Sequence, residues 1–516
     1  MPQPGMVYLV GSGPGDPGLI TVRGLECLRQ ADLVLYDGLV NPLLLLHTAA
    51  DAERTCRVRG PSGHTLNQSE INDRLIAAAR SGRTVVRLKG GDPFIFGRGS
   101  EEADALRAAG IAYEVVPGIT AATAAGAFTE IPLTHRQHAS AVAFVTGHED
   151  PQKHQSALDY AALARFPGTL VFYMGLHQLE RIAEALMANG LDSHTPAAVI
   201  SRATTPAQTT VCSTLQQIVT DVRSARLRAP SLIIFGPCAV KRNSLSWFEN
   251  RPLIGQRIGI PRPIDQAQPT AQRVVSRGAH PILMPTIEIT SVEDWTDVDR
   301  SIQDLPAADW LVFTSANGVT HYMSRLRKLG LDARQLANVR IATIGPSTAQ
   351  VLENYGLTSD LMPPEYRAEA LAESLRPHVD GKRVIWAKAD RGRDVLAPAL
   401  AAAGAEVQQV VVYHNRDVTG WSEDIEQALQ REEVNWIGLS SPSIARGIQR
   451  LLQPEIRAQL GRTLHLASIS PVTSAAAREI GLPISAEATD FTWDGLLDAI
   501  EAFYGPANTA ASAGEV

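Results

Sequence analysis

The segment Asp309-Trp310-Leu311-Val312-Phe313-Thr314-Ser315-Ala316-Asn317 recurs in kind as Asn435-Trp436-Ile437-Gly438-Leu439-Ser440-Ser441-Pro442-Ser443, and Ile341-Ala342-Thr343-Ile344-Gly345-Pro346-Ser347-Thr348-Ala349 recurs without gaps as Leu466-Ala467-Ser468-Ile469-Ser470-Pro471-Val472-Thr473-Ser474. A repeat reports architecture directly. Each copy reads as a buried strand that ends in hydroxyl, proline and small residues and then enters a helix. The second half is therefore expected to be two similar α/β lobes, with strand-end loops paired across a cleft. Strand ends with helix N-termini behind them bind anionic ligands. Ser315, Thr348, Ser441, Ser443 and Thr473 are the hydroxyls so placed; for Ser315, Thr348, Ser441 or Thr473 taken alone, a helix cap explains the residue as well.

The first half has the same alternation without the repeat. Val/Ile/Leu-rich strands are predicted near 7–11, 32–36, 83–88 and 112–116, with helices near 18–31, 67–81 and 100–110. After Gly118 the pattern restarts, with strands near 140–146, 169–174, 196–200 and 230–235, which predicts a second lobe. The stretch from Ser246 to Gly255 interrupts it and is read as the main linker. At ~100–200 residues per domain, 516 residues hold three to four domains.

A net charge of −7 and a pI near 6.0 leave no footprint of nucleic-acid binding, so anionic ligands have to be met by local arginine clusters. The four cysteines (Cys27, Cys56, Cys212, Cys238) form no C-x-x-C pair, which argues against a disulfide framework or a zinc site. The N-terminus lacks a signal-peptide pattern, and no apolar run approaches the ~20 residues of a membrane helix. A reducing cytoplasm is the expected setting. Gly505 to Val516 is small and polar and is read as a disordered tail.

Two glycine segments carry the chemistry of the first half. In Arg87-Leu-Lys-Gly-Gly-Asp-Pro-Phe-Ile-Phe-Gly-Arg-Gly99 a strand runs into a double glycine, where Gly90 and Gly91 would let a ligand approach the backbone, and Ser100-Glu101-Glu102 opens a helix with acids at its positive end. The alternative is a tight strand-to-helix turn. In Gly11-Ser12-Gly13-Pro14-Gly15-Asp16-Pro17-Gly18, Pro14 and Pro17 remove amide donors that a pyrophosphate would use, and no acidic residue ends a second strand at the usual spacing, so a nicotinamide or flavin is excluded. The rigid loop suits a flatter, less anionic ligand, such as a nucleoside with a sulfonium centre.

The ordered set G-S-G-P-G-D-P-G (11–18), A-D-L-V-L-Y-D (31–37), R-L-K-G-G-D-P-F-I-F-G-R-G (87–99), V-V-P-G-I-T-A-A (115–122), I-P-L-T-H-R (131–136), V-T-G-H (145–148) and T-L-V-F-Y-M-G (169–175) resembles uroporphyrinogen-III C-methyltransferase over roughly residues 5–250. The resemblance implies a two-lobed tetrapyrrole-methylase fold, S-adenosylmethionine between the lobes, and a homodimer. Pro14, Gly90, Gly91, Asp92, Ile95, Thr120, Ala121, Met174 and Ala203 would hold the donor. Methyl transfer to a pyrrole carbon needs alignment more than a strong base, and Asp37 is the candidate to take the proton that the methylated ring then loses. The chain departs from the family pattern at Gly38, where an arginine is usual, at Glu130, and at Arg57-Val-Arg59-Gly60, where Arg59 replaces a lysine and is a poor proton donor. Arg59 remains the catalytic candidate at that position. Arg57, Lys89, Arg98 and Arg136 would clamp the acceptor's carboxylates.

The repeat, together with P-L-I-G-Q-R-I-G-I-P-R-P (252–263), P-T-I-E-I (285–289), F-T-S-A-N-G-V (313–319), I-G-P-S-T (344–348) and V-V-V-Y-H (410–414), resembles uroporphyrinogen-III synthase from about 252 to 503. The α/β fold so implied is a two-lobed tetrapyrrole methylase followed by a two-lobed synthase. The methylase would span 5–250, in lobes of about 5–118 and 119–250. The synthase would span 251–505, in a lobe of about 253–288 plus 415–505 and a lobe of about 291–408, before a tail at 506–516. Hydroxymethylbilane would close with ring inversion and loss of water, and the product would be methylated twice to precorrin-2. Tyr413 is the candidate to assist loss of the hydroxyl; a tyrosine packed at a strand end is the alternative. Arg262, Lys388, Arg391 and Arg393 are carboxylate-binding candidates. Two further readings stay open: a different tetrapyrrole acceptor, or one half that only binds or dimerises. Tetrapyrrole substrates are the expected partners, with neither nucleic acid, nor membrane, nor metal.

Overall fold

The computed structural model describes residues 5–48, 53–56, 66–147, 158–242, 246–392 and 394–508. Four five-stranded sheets carry the chain. The first holds β1 (Val7–Gly11), β2 (Leu33–Tyr36), β3 (Glu53–Cys56), β4 (Val85–Lys89) and β5 (Tyr113–Val116), all parallel, in the order β3-β2-β4-β1-β5. Alternation along its strands fills two cores. Val7, Leu9, Leu33, Leu35 and Val85 face the helices Gln68–Arg80 and Gly99–Ala108, while Val10, Val34, Val86 and Leu88 face the helix Val22–Gln30.

The second sheet holds β6 (Val142–Thr146), β7 (Thr169–Tyr173), β8 (Pro196–Ser201), β9 (Thr209–Thr214) and β10 (Ser231–Phe235), in the order β6-β7-β10-β8-β9. Only the β6–β7 pair is parallel. Ala122 and Ala125 of the helix Ala121–Thr129 pack on Val171, Ile200, Leu232 and Ile234, so the segment that leaves the first sheet is built into the second lobe's core. The strand β9 escaped the sequence reading because Thr209–Thr214 is half-exposed and has no apolar run.

The second half begins with the parallel strands β11 (Arg257–Ile260) and β12 (His280–Leu283). A fourth sheet intervenes, made of β13 (Ile287–Ser291), β14 (Trp310–Phe313), β15 (Arg340–Thr343), β16 (Arg383–Ala389) and β17 (Glu406–Asp417), in the order β13-β17-β16-β14-β15 with β13 antiparallel. The chain then adds β18 (Trp436–Leu439), β19 (His465–Ser468) and β20 (Ala486–Glu487) to β11 and β12, in the order β12-β11-β18-β19-β20. The repeated segments are β14 and β18, β15 and β19, each followed by a helix. Residues 285–421 form one compact unit, and residues 1–284 with 422–516 form the other. The division does not fall at the expected linker. That segment is packed instead: Phe248 is buried against Phe128, Glu249 is ion-paired with Arg242, and Trp247 Nε1 donates to the Ala127 carbonyl at 3.1 Å. Among the described residues no helix is long and apolar enough to cross a membrane.

Candidate active site

In the first lobe the glycines of both motifs meet one another. Gly13 and Gly91 exchange backbone hydrogen bonds at 3.2 and 2.8 Å, and the Ser12 N–H donates to the Lys89 carbonyl at 2.8 Å. A Cβ on Gly118 would lie 2.2 Å from the Gly91 carbonyl oxygen, and one on Gly11 would lie 2.5 Å from Gly118 Cα. Asp92 locks this knot by accepting from the Phe94 N–H at 2.8 Å and the Gly118 N–H at 3.0 Å. Gly91, at φ +70°, joins this backbone lattice, and a Cβ on it would meet only the Ala121 nitrogen, at 3.9 Å. A Cβ on Gly90 meets only Leu39 Cβ, at 3.5 Å, so its face stays open.

The second lobe closes on this loop. A Cβ on Gly15 would lie 2.8 Å from Thr204 Oγ1 and 3.3 Å from the Ala203 carbonyl, and the Asp16 N–H donates to Thr204 Oγ1 at 3.1 Å. Thr120 Oγ1 is 2.7 Å from the Tyr173 hydroxyl, which also accepts from the Ala122 N–H at 3.0 Å. Burial pushes the Tyr173 phenol up. Phe96 packs against Tyr173 in a tilted arrangement, with ring centroids 4.9 Å apart and planes at 55°. The expected donor residues Pro14, Gly90, Gly91, Asp92, Ile95, Thr120, Ala121, Met174 and Ala203 thus gather in one neighbourhood where the lobes meet. Leu39, Phe94, Ile95, Phe96, Ile119 and Met174 stay exposed around it and form an apolar rim. Phe96, Arg98, Met174, Arg202 and Thr204 all have positive φ, and strain of this kind is retained where the surroundings over-determine it.

Beside Gly90, Asp37 follows β2 and accepts from Arg87 Nη2 at 2.5 Å. Arg87 is wholly buried because β4 places Val85, Arg87 and Lys89 on one face, toward the helix Gly99–Ala108. Glu102 of that helix accepts from Arg87 Nε and Lys89 Nζ, each at 2.9 Å. Burial works against the Arg87 charge, but Glu102 and Asp37 outweigh it and hold the guanidinium above its ordinary value. Burial and the neighbouring Arg87 pull the Lys89 ammonium down. Lys89 was expected as a substrate clamp. It is fully buried on Glu102 and offers no surface to a substrate. Arg98 is exposed beside Glu101, and Arg136 is exposed on the loop after Ile131. Arg57, Arg59 and Arg393 lie outside the described residues.

In the 285–421 unit, the buried Tyr413 donates to Ser315 Oγ at 3.0 Å. Ser315 accepts from the Gly318 N–H at 3.0 Å and so caps the helix Ala316–Lys328 as well. His321 stacks on Tyr413 at 5.5 Å, and burial pulls its pKa down. Thr348, expected to face substrate, is 2 % exposed.

In the 422–516 part of the other unit, Ser441 caps the helix Pro442–Leu451 by accepting from the Ile444 N–H, with Ser443 Oγ at 2.9 Å. Ser470 is extended at φ −164° and takes the cap of the helix Pro471–Glu479. Thr473 is 1 % exposed, so it too faces the interior. Both threonines sit one turn into their helices, where the side chain turns back to the core. Arg262 is half-buried at the end of β11 with Nη1 3.3 Å from Thr270 Oγ1, and burial, with Arg273, lowers its pKa.

The residues that the sequence reading passed over are Arg87, Glu102, Tyr173 and Asn41. A strand written apolar, cation, apolar, cation already puts two charges on one buried face. That pattern calls for a carboxylate from the next helix.

The family profile described as Tetrapyrrole (Corrin/Porphyrin) Methylases matches residues 6–219, and that described as Uroporphyrinogen-III synthase HemD matches residues 268–498. The chain is 33% identical over 444 residues to "Porphyrin biosynthesis protein HemD" of Ruminiclostridium josui, across 86% of this chain and 88% of that protein. It is 37% identical over 361 residues to "Uroporphyrinogen-III C-methyltransferase" of Bacillus subtilis (strain 168), across 70% of this chain and 74% of that one. A solved uroporphyrin III C-methyl transferase from Thermus thermophilus aligns at 38% identity over 45% of this chain and 93% of its own, with a TM-score of 0.39.

Proposed function

Because this chain belongs to the family in which a tetrapyrrole methylase is fused to a uroporphyrinogen-III synthase, we infer that it cyclises hydroxymethylbilane to uroporphyrinogen III and methylates that product twice to precorrin-2. The observation that carries the methyl-transfer half is the open face of Gly90 between an exposed apolar rim and the Arg87-held carboxylate of Asp37.

The site fits S-adenosylmethionine. Pro14, Gly90, Gly91, Asp92, Ile95, Thr120, Ala121, Met174 and Ala203 would hold it, with apolar surface for the nucleoside and backbone groups for its polar edges. When bound, it supplies an electrophilic methyl group on a sulfonium. The chain's own work is to align a pyrrole carbon with that methyl and to accept the proton released afterwards. Asp37 is the acceptor. The Arg87 ion pair fixes its direction. Arg98 and Arg136, both exposed, are proposed to meet carboxylates of the macrocycle, as are Arg57 and Arg59; Arg59 is also proposed as the catalytic residue at its position.

In the synthase half, the substrate loses its hydroxyl and forms a new carbon–carbon bond at the last ring, with water as the second product. The Tyr413 hydroxyl is the candidate to hydrogen-bond the departing oxygen, and Ser315 sets its direction. Arg262, Ser441, Ser443 and, outside the described residues, Arg393 are proposed for the polycarboxylate. The same reading includes a cytoplasmic homodimer through the methylase half. Sedimentation would show it as twice 55.5 kDa.

The test of the methylase is direct. Purified chain with uroporphyrinogen III and methyl-labelled S-adenosylmethionine should yield doubly labelled precorrin-2. A label that stays on the donor would reject the reading.

A further inference from the structure

Residues 37–48 touch both the methyl-transfer cleft and the second half of the chain. Asp37 opens the segment, and Leu39 lies against Gly90. Asn41 Nδ2 donates to the Gly15 carbonyl at 2.7 Å, while its Oδ1 accepts from the Leu43 N–H at 3.0 Å and starts the short turn Pro42–His47. Leu44 is buried in the first lobe's core, but Leu43 packs into the core formed by β11, β18 and the helix Ile264–Ser276. At the end of the turn, Gln268 Nε2 of that helix lies 3.1 Å from His47 Nε2.

The same helix is gripped at its other end. The Arg251 guanidinium sits 4.9 Å from the Trp247 ring and 4.8 Å from Phe248, and its Nη1 donates to the Val275 carbonyl at 3.1 Å. Trp247 and Phe248 are in turn anchored on Phe128 of the first half. A six-residue 3-10 turn holds few bonds of its own, so its position follows from what it packs against.

We propose that the synthase half positions the acceptor side of the methylase: the helix Ile264–Ser276, through Gln268 and the seat of Leu43, fixes the turn Pro42–His47 and so the segment that carries Asp37 and Leu39 past Gly90. Gln268, Leu43 and His47 are positioning residues. The inference rests on the methyltransferase reading. Placement errors of about 1 Å at such a site cost up to roughly 100-fold in rate.

The test uses the full chain carrying Gln268→Ala alone and Gln268→Ala with Leu43→Ala. Hydrogen exchange across 37–48 reads the dock without reference to catalysis, methylation of uroporphyrinogen III reads its consequence, and the synthase rate of the same sample controls for folding. Faster exchange across 37–48, with kcat/KM for the methyl acceptor reduced at least ~10-fold in the double variant and an unchanged synthase rate, is the expected result. Unchanged exchange, unchanged methylation, or a parallel fall of both activities would overturn the proposal. A wild-type chain without methylation would defeat the functional reading instead, while the exchange data would still decide the dock.

Discussion

The Arg87 guanidinium, with no surface exposed to solvent, bridges Asp37 at 2.5 Å and Glu102 at 2.9 Å. One carboxylate is at the cleft and the other is in the core, so Arg87 ties the proposed proton acceptor to the first lobe's interior. Asp37→Asn keeps the shape and removes the base. Methylation should fall ~100-fold or more while calorimetry gives unchanged S-adenosylmethionine affinity. A loss of donor affinity in step with rate would move Asp37 out of the proton role.

Glu102 neutralises two buried cations, and its Oε2 has no hydrogen-bond partner among the described residues. Glu102→Gln should cost about 3–5 kcal/mol, read from urea unfolding, because it leaves Lys89 buried without its counter-charge. Lys89→Met should lower stability yet leave the KM for uroporphyrinogen III where it was. A raised KM in that variant would restore Lys89 as a clamp.

Two glycines of the cleft should answer differently to the same methyl group. Gly118→Ala drives a Cβ into the Gly91 carbonyl and should yield little folded protein. Gly90→Ala meets only Leu39 and should fold, with thermal stability close to wild type and weakened S-adenosylmethionine binding. Equal donor affinity in wild type and Gly90→Ala would show that the open face is not used.

Much of this was legible before any coordinate. The alternation and the repeat gave the strands and the lobed plan, because β-runs buried on both faces are nearly pure Val/Ile/Leu. The meeting of the two glycine loops was legible as tight turns after strands, because proline and double glycine restrict what such a turn can hold. What stayed hidden depends on depth and pairing: Lys89 reads as a surface cation until Glu102 is seen across from it, and Thr348 reads as a strand-end hydroxyl until its helix turns it inward. The dock at Leu43 and Gln268 leaves no periodic signal, since it joins elements 225 positions apart on two unrelated motifs.

His280 at the start of β12 is held down to about 4 by burial and by Arg257 beside it. The unfolded imidazole titrates near 6.5, so between these values the unfolded chain binds more protons and stability rises with pH. Acidification from 7 to 4 should therefore cost on the order of 2–3 kcal/mol through this residue, beginning as the pH falls through 6.5. Urea midpoints at pH 7 and 5 check it: His280→Leu should lose less than wild type over that interval. Equal losses would assign the acid sensitivity elsewhere.

The most direct measurement supplies the purified chain with hydroxymethylbilane, with and without S-adenosylmethionine, and resolves the products by isomer and by methyl count. The account predicts uroporphyrinogen III without the methyl donor and precorrin-2 with it. Isomer I alone, with no methylated product, would contradict it.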